Sequence, residues 1–425
     1  MNKIKNTFGL FFVLLGILSN ETLLERIFST YAIAKLNSKV PLCFLEIGLI
    51  LAGVSLLLIK IDSSFFKKVH ERYKTSVIFI SNIIVLLFFL NLIGFFILAL
   101  REVIFYKDQI FLNETKSLQN LYPDLSGKQF KELIRETWSR RFIFEPYTQF
   151  AEEEFKGKYV NVSKNGFRFV KNQGTWPPDV KNYNIFLFGG SATFNYGVSD
   201  EQTVASYLQE FLSNVNLPKK ICVYNFGRGY YYSSQERILF QKLLVAGFIP
   251  NLAIFIDGFN DFYFDKDEPL YTDKLKTFFE KGINFELPII NEKYCKLKDE
   301  EYNDSKLIQK VISRYIANKK LIEAGANAYL IKTLFVWQPT PVYKYDLQYH
   351  KFAKNGFGKF TYSKYGYKEM EKLKDKLGNN FLWLADMQEG VKKPLYIEID
   401  HYSPEMSKDL AKNIYNFLIK KDIFK

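Results

Sequence analysis

The chain has 425 residues, 48% of them hydrophobic, which is enough for a sizeable core and for more than one structural unit. Its formal net charge of +13 comes without any dense Lys/Arg block, so the composition argues against a nucleic-acid-binding protein. The three cysteines, Cys43, Cys222 and Cys295, fit no metal-binding spacing, and their odd number argues against a disulfide framework.

The first hundred residues contain three apolar segments, which predict membrane-spanning helices over about 8–30, 41–61 and 76–100. The second and third are each long enough to cross a hydrocarbon core of roughly 30 Å. The apolar run of the first is too short at about 1.5 Å per residue, and it spans only if the helix continues through the polar residues 20–26. A signal peptide is the competing interpretation of this first segment, but no small-residue cleavage site follows it.

The connection between the second and third segments is basic, with Lys60, Lys67, Lys68, Arg72 and Lys74. Under the positive-inside rule this connection is cytoplasmic, so everything after residue 100 lies on the other side of the membrane. The sequence therefore predicts a multi-pass membrane protein whose large C-terminal region is extracytoplasmic.

Residues 101–180 are interpreted as an approach segment, in which the capping-box spacing at Ser126–Gln129 opens an amphipathic helix to roughly residue 141. From residue 181 the pattern changes to strand, turn and helix in alternation. The predicted strands are 183–188, 221–224, 252–256, 329–336 and 395–399. The helices are marked by cap signals at Ser199–Gln202, Ser233–Glu236 and Ser403–Pro404.

This alternation predicts a parallel sheet with helices on both faces. The stretches near 265–304 and 342–379, which are rich in Lys, Tyr and Asp, are interpreted as insertions over the site face of that domain.

Four polar clusters directly follow predicted strands: GGS at 189–191, NFGRG at 225–229, DGFND at 257–261 and EIDH at 398–401. In open parallel sheets, ligands bind outside the carboxyl ends of the strands, so these clusters are candidate site residues. A Walker-type phosphate loop is excluded because no Gly-Lys-Ser/Thr follows the glycines. The nucleophile elbow of α/β-hydrolases is incomplete, because Thr193 occupies the position of its second glycine.

In this order, the segments GGSATF, NFGRGYYYSSQE, IDGFND and EIDHYSPE resemble the four motif blocks of the SGNH (GDSL-like) hydrolase superfamily. The resemblance covers residues 182–424, and the upstream VNVSKNGFR is similar to a segment that precedes the serine in membrane-anchored members. It implies a flavodoxin-like three-layer α/β/α domain over 181–425, with no cofactor and no metal. It also implies a serine hydrolase that acts on O-acyl esters through a covalent acyl-enzyme.

The resemblance assigns the catalytic residues. Ser191 is the expected nucleophile and His401 the expected base that takes its proton. The family places an aspartate three residues before the histidine, and here that position is Glu398, which is expected to hold the imidazole. Asp400, adjacent to the histidine, is the second choice for this role.

The expected oxyanion hole combines the N–H of Ser191, a backbone amide near Gly229 and the side-chain amide of Asn260. Counted from Asn225, the expected glycine register falls on Tyr230 rather than on Gly229, which leaves open which amide of this turn donates.

Elimination among the three histidines also favours His401. His70 lies in the predicted cytoplasmic connection, and His350 lies in a predicted insertion and is expected to be a solvated loop residue. Arg168, Arg228 and Asp257 either line the pocket or form buried ion pairs.

Two alternatives to hydrolysis stay open at this point. One is an O-acyltransferase that modifies an envelope glycan with the same site, and the other is a non-catalytic envelope binding or assembly protein. The expected partners are the lipid bilayer and an acyl-ester substrate, on an envelope glycan or a lipid. The sequence identifies neither the substrate-binding residues nor the oligomeric state.

Overall fold

The computed structural model describes residues 2–18, 39–58, 63–105, 118–215, 217–281 and 299–424. The chain divides into two compact units, Met1–Gln109 and Ile110–Lys425. The described part of the first unit is helical: α1 is Asn2–Leu18, α2 is Lys39–Leu58 and α3 is Ser63–Phe105.

Helices α1 and α2 pack closely and run antiparallel. A Cβ atom at Gly9 would lie 2.7 Å from Leu57 Cγ, and one at Gly16 would lie 2.7 Å from Ile50 Cγ1. Small residues let two helix backbones approach in this way, which is the usual packing of helices in a bilayer.

Helix α3 is continuous from residue 63, so most of the basic connection predicted before the third span is helical rather than a loop. Its segment Glu71–Gly94 is the one helix among the described residues that is long and apolar enough to cross a membrane. The apolar part of α2, Glu46–Ser55, is shorter. Residues 19–30 of the first predicted span and 59–61 of the second lie outside the described residues.

The second unit begins with a helix and two small antiparallel strand pairs. Helix α4 is Gly127–Trp138, and the strands are β1 Phe142–Glu145, β2 Gln149–Glu152, β3 Phe155–Lys156 and β4 Asn161–Val162, paired β1 with β2 and β3 with β4. The predicted capping box is confirmed, because the Ser126 and Gln129 side chains accept hydrogen bonds from each other's backbone N–H groups.

A five-stranded parallel sheet follows, made of β5 Tyr183–Gly189, β6 Ile221–Asn225, β7 Leu252–Asp257, β8 Lys332–Trp337 and β9 Phe381–Trp383. Its spatial order is β6-β5-β7-β8-β9, and every neighbouring pair is parallel. Numbered within this sheet the order is 2-1-3-4-5, the flavodoxin-like order. The predicted fold class is therefore confirmed.

Helices cover both faces of the sheet. The helices of this part of the chain are α5 Ser191–Phe194, α6 Val204–Ser213, α7 Ser233–Val245, α8 Phe259–Tyr263, α9 Thr272–Lys281, α10 Ser305–Ala328, α11 Tyr362–Glu371 and α12 Pro404–Lys420. Those that cover the sheet are α7 and α10 on one face and α6 and α12 on the other. Side chains of β5 alternate between two cores: Phe186 and Phe188 pack with residues of α7 and α10, while Ile185 and Leu187 pack with residues of α6 and α12. Burial on both faces explains why these strands are continuous apolar runs.

The predicted strand at 395–399 is wrong. This segment is a tight loop, in which Ile397 N–H donates to His401 O and Ser403 N–H donates to Leu395 O. The fifth strand is β9, whose three residues are too few to give a periodic signal.

Two cap predictions also need correction, while that of Ser403, which accepts from Met406 N–H, is confirmed. Ser199 precedes a single 3-10 turn, and α6 is capped instead by Thr203, which accepts from Ser206 N–H. The Ser233 hydroxyl donates to Asp261 at 2.5 Å and does not cap α7.

Candidate active site

Ser191 is the first residue of α5, at the carboxyl end of the strand β5, and is 7% exposed. The preceding Gly190 has the side chain of Asn260 packed directly against its Cα, where a Cβ atom would overlap Asn260 Nδ2. The glycine therefore lets the side-chain amide of Asn260 approach the backbone beside the serine.

The turn after Ser191 is tied to the helix that follows His401. Asn195, in the left-handed conformation with φ +67°, donates its own N–H to Ser191 O at 2.8 Å. Its side chain accepts from Val204 N–H and donates to Ser407 Oγ of α12 at 2.9 Å. This bond connects the serine block to the C-terminal block, which is 212 residues away in sequence.

Arg168 holds the same turn from the other side. The guanidinium is fully buried and donates to the carbonyl oxygens of Phe194, Asn195 and Val198 at 2.6–2.7 Å. It also pairs with Asp200 at 2.9 Å. Of the two sequence interpretations, the buried ion pair is therefore correct for Arg168.

Two carboxylates approach the same nitrogen of the His401 imidazole. Its Nδ1 is 2.6 Å from Glu398 Oε2 and 3.3 Å from Asp400 Oδ1. A proton on Nδ1 that donates to Glu398 leaves Nε2 as the basic nitrogen. Burial raises the pKa of Asp400 to about 6, although the neighbouring His401 opposes this effect.

Glu398, Asp400 and His401 each offer one possible metal-ligand atom, and these three atoms lie within 4.8 Å of one another. Among the described residues, this is the one cluster of three His, Cys, Asp or Glu side chains that could hold a metal ion. Ligands of a tetrahedral ion at about 2.0–2.1 Å lie roughly 3.3 Å apart. The His401–Glu398 contact is shorter than that, so a hydrogen bond accounts for it better than shared metal ligation does.

The turn at Gly229 differs from the sequence expectation. Gly229 N–H donates to Glu152 Oε1 at 3.0 Å and is thus engaged in this structure. Tyr230 has φ +62°, the left-handed conformation that favours glycine, as its position in the glycine register implies. Among the described residues, no hydrogen-bond acceptor contacts Tyr230 N–H.

Asn260 is 7% exposed, and its Nδ2 donates to Tyr231 O at 2.7 Å. One amide hydrogen is used in this bond, which leaves the second hydrogen for a ligand. A Cβ atom at Gly190 would also lie 2.8 Å from Tyr231 O. Asn260 and Tyr231 O therefore both lie against Gly190, the residue that precedes Ser191.

Sequence reasoning missed two aromatic residues that contact His401 and two charged residues that hold one of them. The Tyr196 ring stacks on the imidazole with centroids 5.3 Å apart, and the Trp138 ring meets it edge-on at 5.9 Å. The Tyr196 hydroxyl donates to Glu152 at 2.9 Å, and Glu152 pairs with Arg140 at 3.2 Å. Trp138, Arg140 and Glu152 belong to the supposed approach segment, where no local motif marks them.

The expectation for His350 was wrong, because this side chain is buried rather than solvated. Its Nδ1 accepts from Phe352 N–H, so Nε2 carries the proton and donates to Ile399 O at 3.1 Å. Burial lowers the pKa of His350 to about 4. This histidine supports the backbone between Glu398 and Asp400.

Asp257 and Arg228 are both buried away from solvent. Burial raises the pKa of Asp257 well above its ordinary value, and burial with the nearby carboxyl group of Asp257 raises the pKa of Glu236 in the same way. Arg228 donates to the Tyr231 hydroxyl at 2.9 Å and lies 4.0 Å from Glu145. Neither residue therefore needs a ligand-binding role to explain its position.

No protein-family model matches the chain, and no curated protein matches it in sequence. Among solved structures it is similar to a putative lipolytic protein of the G-D-S-L family from Desulfitobacterium hafniense DCB-2, with 16% identity over 56% of this chain and 100% of that chain, at a TM-score of 0.34. It is also similar to Est24, a carbohydrate acetylesterase from Sinorhizobium meliloti, with 13% identity over 56% and 100% of the chains and a TM-score of 0.34. A third is Axe2, an acetylxylan esterase from Geobacillus stearothermophilus, with 15% identity over 56% and 94% and a TM-score of 0.33. These structural neighbours are esterases and a lipolytic protein, and one of them carries the name of the superfamily that the motifs resemble.

Proposed function

We propose that the second unit is an SGNH-type serine hydrolase that cleaves O-acyl esters, with Ser191, His401 and Glu398 as its catalytic residues. The observation that carries this proposal is that the serine turn and the histidine share one neighbour. Tyr196 N–H donates to Ser191 O at 3.2 Å, and the Tyr196 ring stacks on His401. The serine and acid–histidine blocks thus converge at the carboxyl end of the sheet, where such folds bind ligands.

In the proposed reaction, Ser191 Oγ attacks the ester carbonyl carbon while His401 Nε2 takes the hydroxyl proton. Glu398, hydrogen-bonded to Nδ1, stabilises the imidazolium and fixes its tautomer. The C–O bond to the alcohol then breaks, and His401 returns the proton to the departing oxygen. Water attacks the acyl-serine with the same base, and the carboxylic acid is released.

The negative charge on the carbonyl oxygen requires donors that are in place before the reaction. In our proposal these are the N–H groups of Ser191 and Tyr230 and the side-chain amide of Asn260. We assign the second amide to Tyr230 because Gly229 N–H is bound to Glu152. Each such donor contributes on the order of 3 kcal/mol of transition-state stabilisation.

We further propose that the enzyme is membrane-anchored and multi-pass, with its site on the extracytoplasmic side. The apolar helix Glu71–Gly94 supports the anchor, and the basic residues Arg72 and Lys74 at its start support the orientation. A site that faces outward beside a bilayer suits acyl esters of envelope glycans or lipids as substrates.

Labelling by a fluorophosphonate probe tests the proposed nucleophile. We expect the wild-type protein to be labelled, Ser191→Ala to be unlabelled, and the exposed Ser213→Ala, used as a matched control, to be labelled normally. Turnover of a short p-nitrophenyl ester should depend on both Ser191 and His401. A folded wild-type protein that is neither labelled nor active would instead be a non-catalytic binding or assembly protein.

A further inference from the structure

Tyr196 is the point at which the serine turn, the histidine and the segment before the sheet meet. The planes of the Tyr196 and His401 rings are 30° apart, which is a stacked contact. The Tyr196 hydroxyl donates to Glu152 Oε1 at 2.9 Å, and the residue is 8% exposed. The ring that faces the imidazole is thus held at its far end by a carboxylate.

Glu152 itself is fully engaged. It is 3% exposed, accepts from Gly229 N–H at 3.0 Å and pairs with Arg140, and the side chains of this pair are each 2% exposed. Breaking a buried pair of this kind is costly, so the carboxylate has one stable position. Glu152 therefore connects the Gly229–Tyr230 turn and the Tyr196 ring through a single rigid group.

We propose that Glu152 and Tyr196 are positioning residues for His401, so that the strand β2, which precedes the parallel sheet, is part of the catalytic apparatus. This inference rests on the proposed function. Glu152 fixes the phenol, and the face of the Tyr196 ring fixes the plane of the imidazole.

The contact also has an electrostatic consequence. His401 becomes positively charged when it takes the Ser191 proton, and a cation over an aromatic face is attracted by the π electrons. Burial and the neighbouring Glu152 raise the pKa of Tyr196 well above its ordinary value, so the hydroxyl stays a donor at neutral pH. The ring therefore favours the protonated form of the imidazole without itself titrating.

The test uses the full-length protein with four variants. Tyr196→Leu removes the ring, Tyr196→Phe removes only the hydroxyl, and Glu152→Gln removes the charge that holds it. Tyr224→Phe is the matched control. The Tyr224 hydroxyl donates to Thr175 O at 2.7 Å, and its ring packs against Phe186 in the core rather than against His401.

Two readouts are compared. One is kcat and KM for a p-nitrophenyl ester as a function of pH, and the other is the titration midpoint of His401 from NMR of protein labelled with carbon-13 histidine. With only three histidines in the chain, the His401 signal is assigned from its loss in His401→Gln. The second readout does not depend on activity.

We expect Tyr196→Leu to lower the His401 midpoint by about one pH unit and kcat by about tenfold, with KM unchanged. Tyr196→Phe and Glu152→Gln should each give a smaller shift in the same direction, about threefold in kcat, and Tyr224→Phe should change neither quantity. Tyr196→Phe preserves volume and serves if the leucine variant does not fold. A wild-type midpoint in both Tyr196 variants overturns the inference, whereas absence of Ser191-dependent labelling in the wild type overturns the proposed function.

Discussion

The side-chain amide of Asn260 lies against the α-carbon of Gly190, so closely that even a methyl group at residue 190 would overlap its Nδ2 atom. The amide is held there by its bond to Tyr231 O at 2.7 Å. Asn260 therefore reaches the neighbourhood of Ser191 only because the residue before the serine has no side chain.

We expect Gly190→Ala to abolish fluorophosphonate labelling at Ser191 or to reduce its rate by at least about a hundredfold, because it displaces a proposed oxyanion donor. The control is Gly325→Ala in α10, where a Cβ atom would meet no neighbour within 4 Å. In a helix this control should be neutral or stabilising by up to about 1 kcal/mol. Normal labelling of Gly190→Ala would show that the position of Asn260 is not needed for reaction.

The two carboxylates beside His401 should differ in importance. Glu398→Gln replaces the closer acceptor, and we expect kcat to fall by roughly 10³–10⁴, as for a triad that loses its carboxylate. Asp400→Asn, at the longer contact, should reduce kcat by much less than Glu398→Gln does. Steady-state kinetics of both variants decides the assignment, and a reversed order would make Asp400 the acid of the triad.

The pH dependence of stability should reveal the buried Asp400. Because its folded pKa is raised to about 6, its stabilising contribution is complete below the unfolded value and is lost as the pH rises through about 6. We expect Asp400→Asn to remove this loss, so that its free energy of unfolding exceeds that of the wild type more at pH 8 than at pH 4, by up to roughly 3 kcal/mol. Urea unfolding at the two pH values measures the difference, and an equal difference at both would contradict a raised pKa.

The buried Glu236–Asp257 pair, in the core between the sheet and its helices, predicts a second loss of stability as the pH rises. Burial raises both pKa values, so stability is lost when the pH rises far enough to ionise the pair. Glu236→Gln should therefore lose less stability than the wild type as the pH rises, which urea unfolding across a pH series measures. The exposed Glu201→Gln is the control, and it should follow the wild-type curve.

Arg168→Met should be among the most destabilising single substitutions in the second unit, at about 3–5 kcal/mol, because it leaves Asp200 and three carbonyl oxygens without their partner. Lys171→Met, which alters an exposed pair with Glu210 at 3.9 Å, should change stability by less than about 1 kcal/mol. Chemical unfolding of both variants provides the comparison. A small effect at residue 168 would mean that water can replace the guanidinium.

Much of the parallel-sheet region was predictable, because strands buried on both faces are written as apolar runs such as YNIFLF and LAIFI. Ser191, His401, Glu398, Asp400 and Asn260 were proposed as site residues because the order of their motif blocks resembles that of a known superfamily.

The environment of His401 was not predictable from the sequence. The bond between Glu152 and Tyr196 joins residues 44 apart, and neither residue lies in a pattern of its own. His350 was misassigned for the same reason, since its polar neighbours in sequence say nothing about the Tyr345 and Tyr396 rings that enclose it in space. Burial of such residues is decided by tertiary contacts, which a local window does not contain.

Arg168 and Glu152 lie before the first strand of the parallel sheet, yet they form hydrogen bonds to the loops that follow β5 and β6. Residues 118–180 are consequently no spacer that could be shortened or exchanged at will. A protein trimmed to begin at Tyr183 would keep all four motif blocks in its sequence and still lack the side chains that hold the loops after β5 and β6 in place.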